Sequence, residues 1–145
     1  MGNAMVRHPG EGEKYRALGD LVTVLASGLD TDGAYEVFVV EGQGEPRAAL
    51  RHAHPWSEAI WVLRGQVELF LQGQHLLLEA GAFAHCPCHQ MHSIRLLTPE
   101  TQLLVVSSQS QHSRYVRRLD REAPFGSSSE RAVEIARQFE VEVEP

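Results

Sequence analysis

The stretch His52-Ala-His54-Pro-Trp-Ser-Glu58 gathers side chains that can hold a metal ion. His52 and His54 stand two positions apart, so on a strand both imidazoles leave the same face, about 7 Å apart at the backbone. Two ring nitrogens can then reach one ion. Pro55 breaks that strand, which lets Glu58 start the next one beside it and offer a carboxylate to the same point. His92 would close the set. Three neutral imidazoles and a carboxylate suit one divalent transition metal (Fe, Mn, Ni, Cu or Zn), and an octahedral shell would leave two positions for water, substrate or oxygen. An isolated H-x-H is more often polar alternation on a wet strand. His85 and His89 flank the later part of the pattern, and either can face the cavity, although such residues are more often on the surface. His8, His75 and His112 have no spacing partner and carry no expected role.

The elements that must position these groups read as strands. Short apolar runs at Leu21–Ala26, Tyr35–Val40, Glu58–Leu63, Val67–Leu71, Leu76–Leu78, His92–Leu97 and Leu103–Val106 alternate with turn residues such as Asp30-Thr-Asp-Gly33 and Gln72-Gly-Gln74. That spacing predicts an all-β antiparallel sandwich or barrel. Counting parity from Glu58, Ile60 and Val62 point inward and Trp61 points away. His92, Ile94 and Leu96 share a parity, so Ile60, Val62, Ile94 and Leu96 are the expected substrate-contacting wall. Arg51 and Arg95 have the opposite parity and should face outward. Ala59-Ile-Trp-Val-Leu63 and Leu103-Leu-Val-Val106 are apolar at both parities, so something must cover their outer faces. A C-terminal helix can supply part of that cover: Ser127 and Glu130 make a capping-box spacing, and Ala132, Ile135, Ala136 and Phe139 fall on one stripe. Asp120–Ser129 reads as a loop into it. The chain divides into an N-terminal arm (1–10), a β-barrel (11–115) and a C-terminal loop and helix (116–145). Residues 1–4 look like a cloning remnant ahead of Met5.

Composition narrows the function classes. A chain of 145 residues, 43% hydrophobic, has the size of one domain and needs no metal to hold its core. Any metal is therefore expected to be functional. The net charge is -6, and Lys14 is the single lysine among 13 dispersed basic residues, which argues against nucleic acid as a partner and against Schiff-base chemistry. Cys86 and Cys88 stand too close for an unstrained bridge and suit a reducing, cytoplasmic setting. No run approaches the ~20 apolar residues that cross a bilayer, so no membrane partner is expected.

The spacing H-x-H, three residues, Glu58, six residues, Gly65, followed by Gly81-x5-Pro87 and then His92, resembles the two motifs of the cupins. Within them the chain is similar to small single-domain bacterial cupins of the quercetin 2,3-dioxygenase-like kind. The resemblance implies a cupin-type jelly-roll β-barrel with His52, His54, Glu58 and His92 as metal ligands. It also implies a dioxygenase-type oxidoreductase for a small apolar or aromatic substrate with an acidic enol or phenol oxygen, Glu58 doubling as proton acceptor, and a homodimer. A non-catalytic metal-cupin that binds or senses a small molecule, or a cupin isomerase, are the alternatives. His89 stands where the second motif usually has Gly, Ala82 where Asp is common, and Leu96 where Asn is usual. None of these is a ligand position.

Overall fold

The structure is a computed structural model, and it describes residues 3–43, 50–124 and 129–144. Its strands are β1 (Glu13–Ala17), β2 (Asp20–Ala26), β3 (Tyr35–Glu41), β4 (His52–Ala53), β5 (Glu58–Arg64) and β6 (Gln66–Leu71). They continue as β7 (Gln74–Glu79), β8 (Phe83–Cys86), β9 (His92–Leu96) and β10 (Gln102–Ser108). Helices α1 (His112–Glu122) and α2 (Ser129–Gln138) follow, and β11 (Glu142–Val143) ends the series. Two antiparallel sheets face each other, one ordered β1-β2-β3-β10-β5-β8 and the other β11-β4-β9-β6-β7. This is the expected all-β jelly roll. Each expected strand is present, and the four added ones are short or charged.

Alternation explains the core. Along β5, Glu58, Ile60 and Val62 are buried while Trp61 and Leu63 are exposed. Val67 and Leu69 from β6 and Leu96 from β9 meet Ile60 and Val62 from the facing sheet, and Leu103 and Val105 of the neighbouring β10 complete the cluster.

Two features differ from the sequence reading. Helix α1 begins before the expected barrel boundary at residue 115 and runs into the segment read as a loop from Asp120. Its buried stripe is Ser113, Val116 and Leu119, so only two apolar side chains mark it, amid arginines. The second difference concerns cover. The helices do not lie on the outer faces of β5 and β10; Ala132, Val133 and Ala136 of α2 share a cavity with the inward residues Leu103 and Val105. They roof the open end of the barrel, where Ala136 of α2 packs with Trp56 and Val141. Ser127, the expected cap, lies outside the described residues.

Helix α1 is tethered at both ends. The buried carboxylate of Glu36 accepts hydrogen bonds from the Gly28 N–H at 2.8 Å, from the Ser113 N–H at 2.9 Å and from the Ser113 hydroxyl. A carboxylate suits a helix N-terminus, where the unpaired N–H groups gather. Near the other end, Asp120 accepts the Arg16 N–H at 2.9 Å, which ties the helix to β1.

Gly65, in the turn from β5 to β6, has a φ of 77°, and a Cβ there would lie 2.7 Å from Thr101 Cα. Thr101 is itself buried, with its hydroxyl bonded to the backbone of Gln66 at 3.2 Å, so it has no room to retreat. Gly65→Ala is expected to cost about 2–4 kcal/mol in chemical denaturation. A loss below about 0.5 kcal/mol would contradict this packing.

Candidate metal centre

Strand pairing assembles the histidines. His52 lies directly opposite His92 in the β4–β9 ladder, and His54 follows just past the end of β4. Ring centroids are 4.6 Å apart for His52 and His92, 4.9 Å for His54 and His92, and 5.5 Å for His52 and His54. One donor nitrogen from each ring lies within 4.8 Å of the other two.

The tautomers follow from the backbone. Nδ1 of His52 meets the Leu50 carbonyl at 2.9 Å, that of His54 the Trp56 carbonyl at 2.7 Å, and that of His92 the Gln90 carbonyl at 2.8 Å. A carbonyl only accepts, so each Nδ1 carries the proton and each Nε2 keeps its lone pair. Burial, reinforced by His92, pushes His52 down to about 4, so its ring is neutral at neutral pH.

Glu58 enters from the other sheet. Burial alone would raise its pKa, but contact with His54 and the nearby His112 and His92 outweigh that and hold the carboxyl below the usual range. Its Oε1 stands 2.9 Å from Nε2 of His54, and Oε2 stands 3.9 Å from Nε2 of His92. With Nδ1–H committed to a carbonyl, Nε2 is the atom that His54 turns toward the carboxylate. Nε2 of His54 and of His92 are buried without a hydrogen-bond partner. Unpaired buried acceptors around an ionised carboxylate are costly unless a cation joins them. Three imidazoles and one carboxylate fit a divalent transition ion, and the Nδ1 contacts are the supports such ligands need.

Beside this cluster opens a cavity of about 360 Å³. Ile94 and Leu96 line it, as does His52. Ile60 and Val62 do not: each is 1% exposed and packs in the closed end of the barrel against Val67 and Leu69. The wall is completed by Val40, Val105, Leu119 and Val133, among others, and no lysine or arginine is among the described lining residues. Arg51 pairs with Glu144 at 3.5 Å and Arg95 with Glu68 at 3.4 Å, both away from the cavity.

His85 and His89 are exposed. His89 has a φ of 62°, the backbone shape that Gly adopts without strain, and its N–H donates to the His54 carbonyl at 2.8 Å. The turn therefore survives the exchange of Gly for His. Cys86, opposite Glu58, is buried, and burial with that carboxylate pushes its thiol up to about 12; Cys88 is exposed and both are unbridged.

Sequence reading missed His112. It reaches the site because Ser107 pairs with Glu58 in the β10–β5 ladder and the chain then turns into α1. Its Nδ1 lies 2.6 Å from Ser107 Oγ and 3.8 Å from Glu58 Oε1. Burial lowers its pKa. Trp56 is also absorbed into the site: its ring stacks on His54 at 4.4 Å and on His112 at 5.1 Å, and its Nε1–H points to Glu58 Oε1 at 3.4 Å. Nothing in the spacing marks His112, since its neighbours come from distant strands.

His92→Ala or Glu58→Ala is expected to remove most bound metal with the barrel still folded, measured by elemental analysis beside circular dichroism. Full occupancy in both variants would overturn the ligand set. The metal-free protein should also lose stability on acidification. His52 takes its proton near 6.5 when unfolded and near about 4 when folded, so the unfolded chain is favoured as pH falls across that window. The lowered pKa of Glu58 adds to the loss below the usual carboxylate range. Melting temperatures of chelator-treated protein that stay constant through the window would contradict the buried, neutral state of His52.

Comparison with known proteins agrees with this architecture. The chain is 36% identical over 96 residues to the quercetin 2,3-dioxygenase of Bacillus subtilis (strain 168), which covers 66% of this chain and 28% of that protein. The chain thus spans well under half the length of that relative. Among solved structures, KdgF from Halomonas sp. superimposes with a TM-score of 0.62 at 18% identity, over 79% of this chain and 99% of the other. Oxalate decarboxylase from Bacillus subtilis gives 0.60 at 14% identity, over 79% and 32%. The polyketide cyclase RemF from Streptomyces resistomycificus gives 0.58 at 21%, over 73% and 80%. At these identities the likeness is one of fold. The cupin domain family itself matches residues 36–108, half of the chain, with the histidine cluster and Glu58 inside the matched span, and the chain belongs to that family.

Proposed function

We propose that the protein is a metal-dependent oxidoreductase of dioxygenase type acting on a small, largely apolar molecule that carries an acidic enol or phenol oxygen. One observation carries the reading: three Nε2 lone pairs and an ionised carboxylate converge beside a 360 Å³ cavity whose described wall holds no lysine or arginine. The quercetin dioxygenase relative supports the reaction class.

A divalent transition ion held by His52, His54, Glu58 and His92 supplies Lewis acidity toward a bound enol or phenol oxygen. The chain does the rest. Ile94 and Leu96, with the helix side chains above them, exclude water and so strengthen every charge interaction inside. Glu58 is ionised at neutral pH and accepts the proton that leaves the hydroxyl group. Trp56 Nε1–H and the Nδ1–carbonyl contacts hold the acid and the rings in place. The absence of a cation from the described wall disfavours phosphorylated sugars and weakens the isomerase alternative.

Oxygen uptake by the iron, manganese, nickel and copper forms, each prepared separately, is expected with a flavonol and not with a sugar phosphate. Metal-dependent flavonol binding without oxygen uptake in any form would favour a binding or sensing role. Tighter binding of the sugar phosphate would overturn the substrate class.

We further propose a cytoplasmic homodimer joined through the outer face of β5 and β8. Trp61 and Phe83 are register partners there, 50% and 64% exposed, and Leu63 lies beside them. Apolar surface of this kind favours burial against a second copy. Light scattering should give twice the chain mass at micromolar concentration and the single-chain mass for Trp61→Glu. A monomeric parent protein would contradict the dimer.

A further inference from the structure

His112 enters the site from a helix, touches no other imidazole through a nitrogen, and is not needed to complete the ligand set. Its surroundings define what it can offer. Ser107 is fully buried, and among the described residues its hydroxyl has a single hydrogen-bond neighbour, Nδ1 of His112 at 2.6 Å. A buried hydroxyl left without an acceptor is costly, so the Ser107 O–H donates to Nδ1. The ring proton then sits on Nε2. The Nδ1 edge is closed by Ser107 and Glu58, and the Trp56 and Phe38 rings pack against the imidazole with centroids 5.1 Å and 4.6 Å away. His112 nonetheless lines the cavity, and its Nε2 makes no hydrogen bond among the described residues.

We propose that His112 is a specificity-determining residue whose Nε2–H donates to a second oxygen of the substrate, distinct from the acidic oxygen at the histidine cluster. The inference rests on the phenol or enol reading of the cavity given above. Its ring centroid is 6.2 Å from that of His54, and His52, Glu58 and His112 line the same cavity, so one bound molecule can meet the metal-binding cluster and this ring together. A catechol hydroxyl is a compact carrier of such a second oxygen. Apart from His112 itself, His52, Glu58, Asp20 and Tyr115, the described wall is apolar, so a site built around this donor discriminates against ligands that lack the second oxygen. Ser107 acts through His112 and is a positioning residue, and the Glu36 tether at the start of α1 fixes where the ring stands.

The test compares catechol with phenol by calorimetry on metal-loaded protein, with metal content measured in every sample. His112→Phe keeps an aromatic ring against Trp56 but has no donor, whereas His112→Gln carries its amide N–H near the former Nε2. Catechol is expected to bind His112→Phe about tenfold more weakly than the parent protein, with phenol affinity and metal content unchanged. His112→Gln should recover most of the catechol affinity. Equal catechol affinity in the parent and His112→Phe, a parallel loss for phenol, or no recovery in His112→Gln would each overturn the assignment. A metal-loaded parent that binds neither compound would instead overturn the phenol reading, and this inference with it.

Discussion

Three imidazoles direct their Nε2 atoms into one small volume, and the backbone around them is arranged to keep them there. Each ring is held by a carbonyl two residues away in the chain, from Leu50, Trp56 or Gln90, so the holding group moves with the ring it holds. That local contact sets the tautomer and the ring plane together. Long-range order is then needed only to bring two short segments side by side, which the His52–His92 pair of the β4–β9 ladder does. Strand β4 has two residues and little pairing of its own. Its other edge is covered by β11, with Val143 opposite His52 and the Glu144 N–H donating to the Arg51 carbonyl at 2.9 Å. Strand β11 is thus part of the frame that holds His52.

The same constraint accounts for the helices. A carboxylate and three imidazoles at the open end of a barrel would be well solvated if that end faced water. Helices α1 and α2 roof it, and the buried Glu36 carboxylate determines where α1 begins. Because α1 starts with His112, anchoring the helix also places that ring against Ser107, Trp56 and Glu58. Roof and site are built from one network of hydrogen bonds. In a cavity lined mainly by apolar side chains, charge interactions are stronger than in water.

Much of the fold could be read from residue types, and the reasons are local. The strands that carry the core alternate cleanly or are apolar throughout, so β2, β3, β5, β6, β9 and β10 announce themselves. Strand β1, with Glu13, Lys14 and Arg16, lies at a sheet edge where polar side chains meet solvent, and only Tyr15 and Ala17 mark its inner face. Helix α1 was illegible because a stripe of Ser113, Val116 and Leu119 is weaker than the arginines around it. At the site, His52, His54, Glu58 and His92 were readable through motif spacing. His112 was not, because its partners Ser107, Glu58 and Trp56 are joined to it only by the sheet and a turn. Parity placed Ile94 and Leu96 on the cavity wall. Applied to Ile60 and Val62, parity gave the inward direction but not the depth, and both lie in the packed end of the barrel.

X-ray absorption at the metal edge of protein purified without an affinity metal tests the central claim most directly. The account predicts a first shell of nitrogen and oxygen alone at about 2.0–2.2 Å, with the outer-shell scattering of about three imidazole rings. A shell containing sulfur at about 2.3 Å would place the ion on Cys86 or Cys88 instead. That outcome, or a spectrum without imidazole scattering, would contradict a metal centre built on His52, His54 and His92.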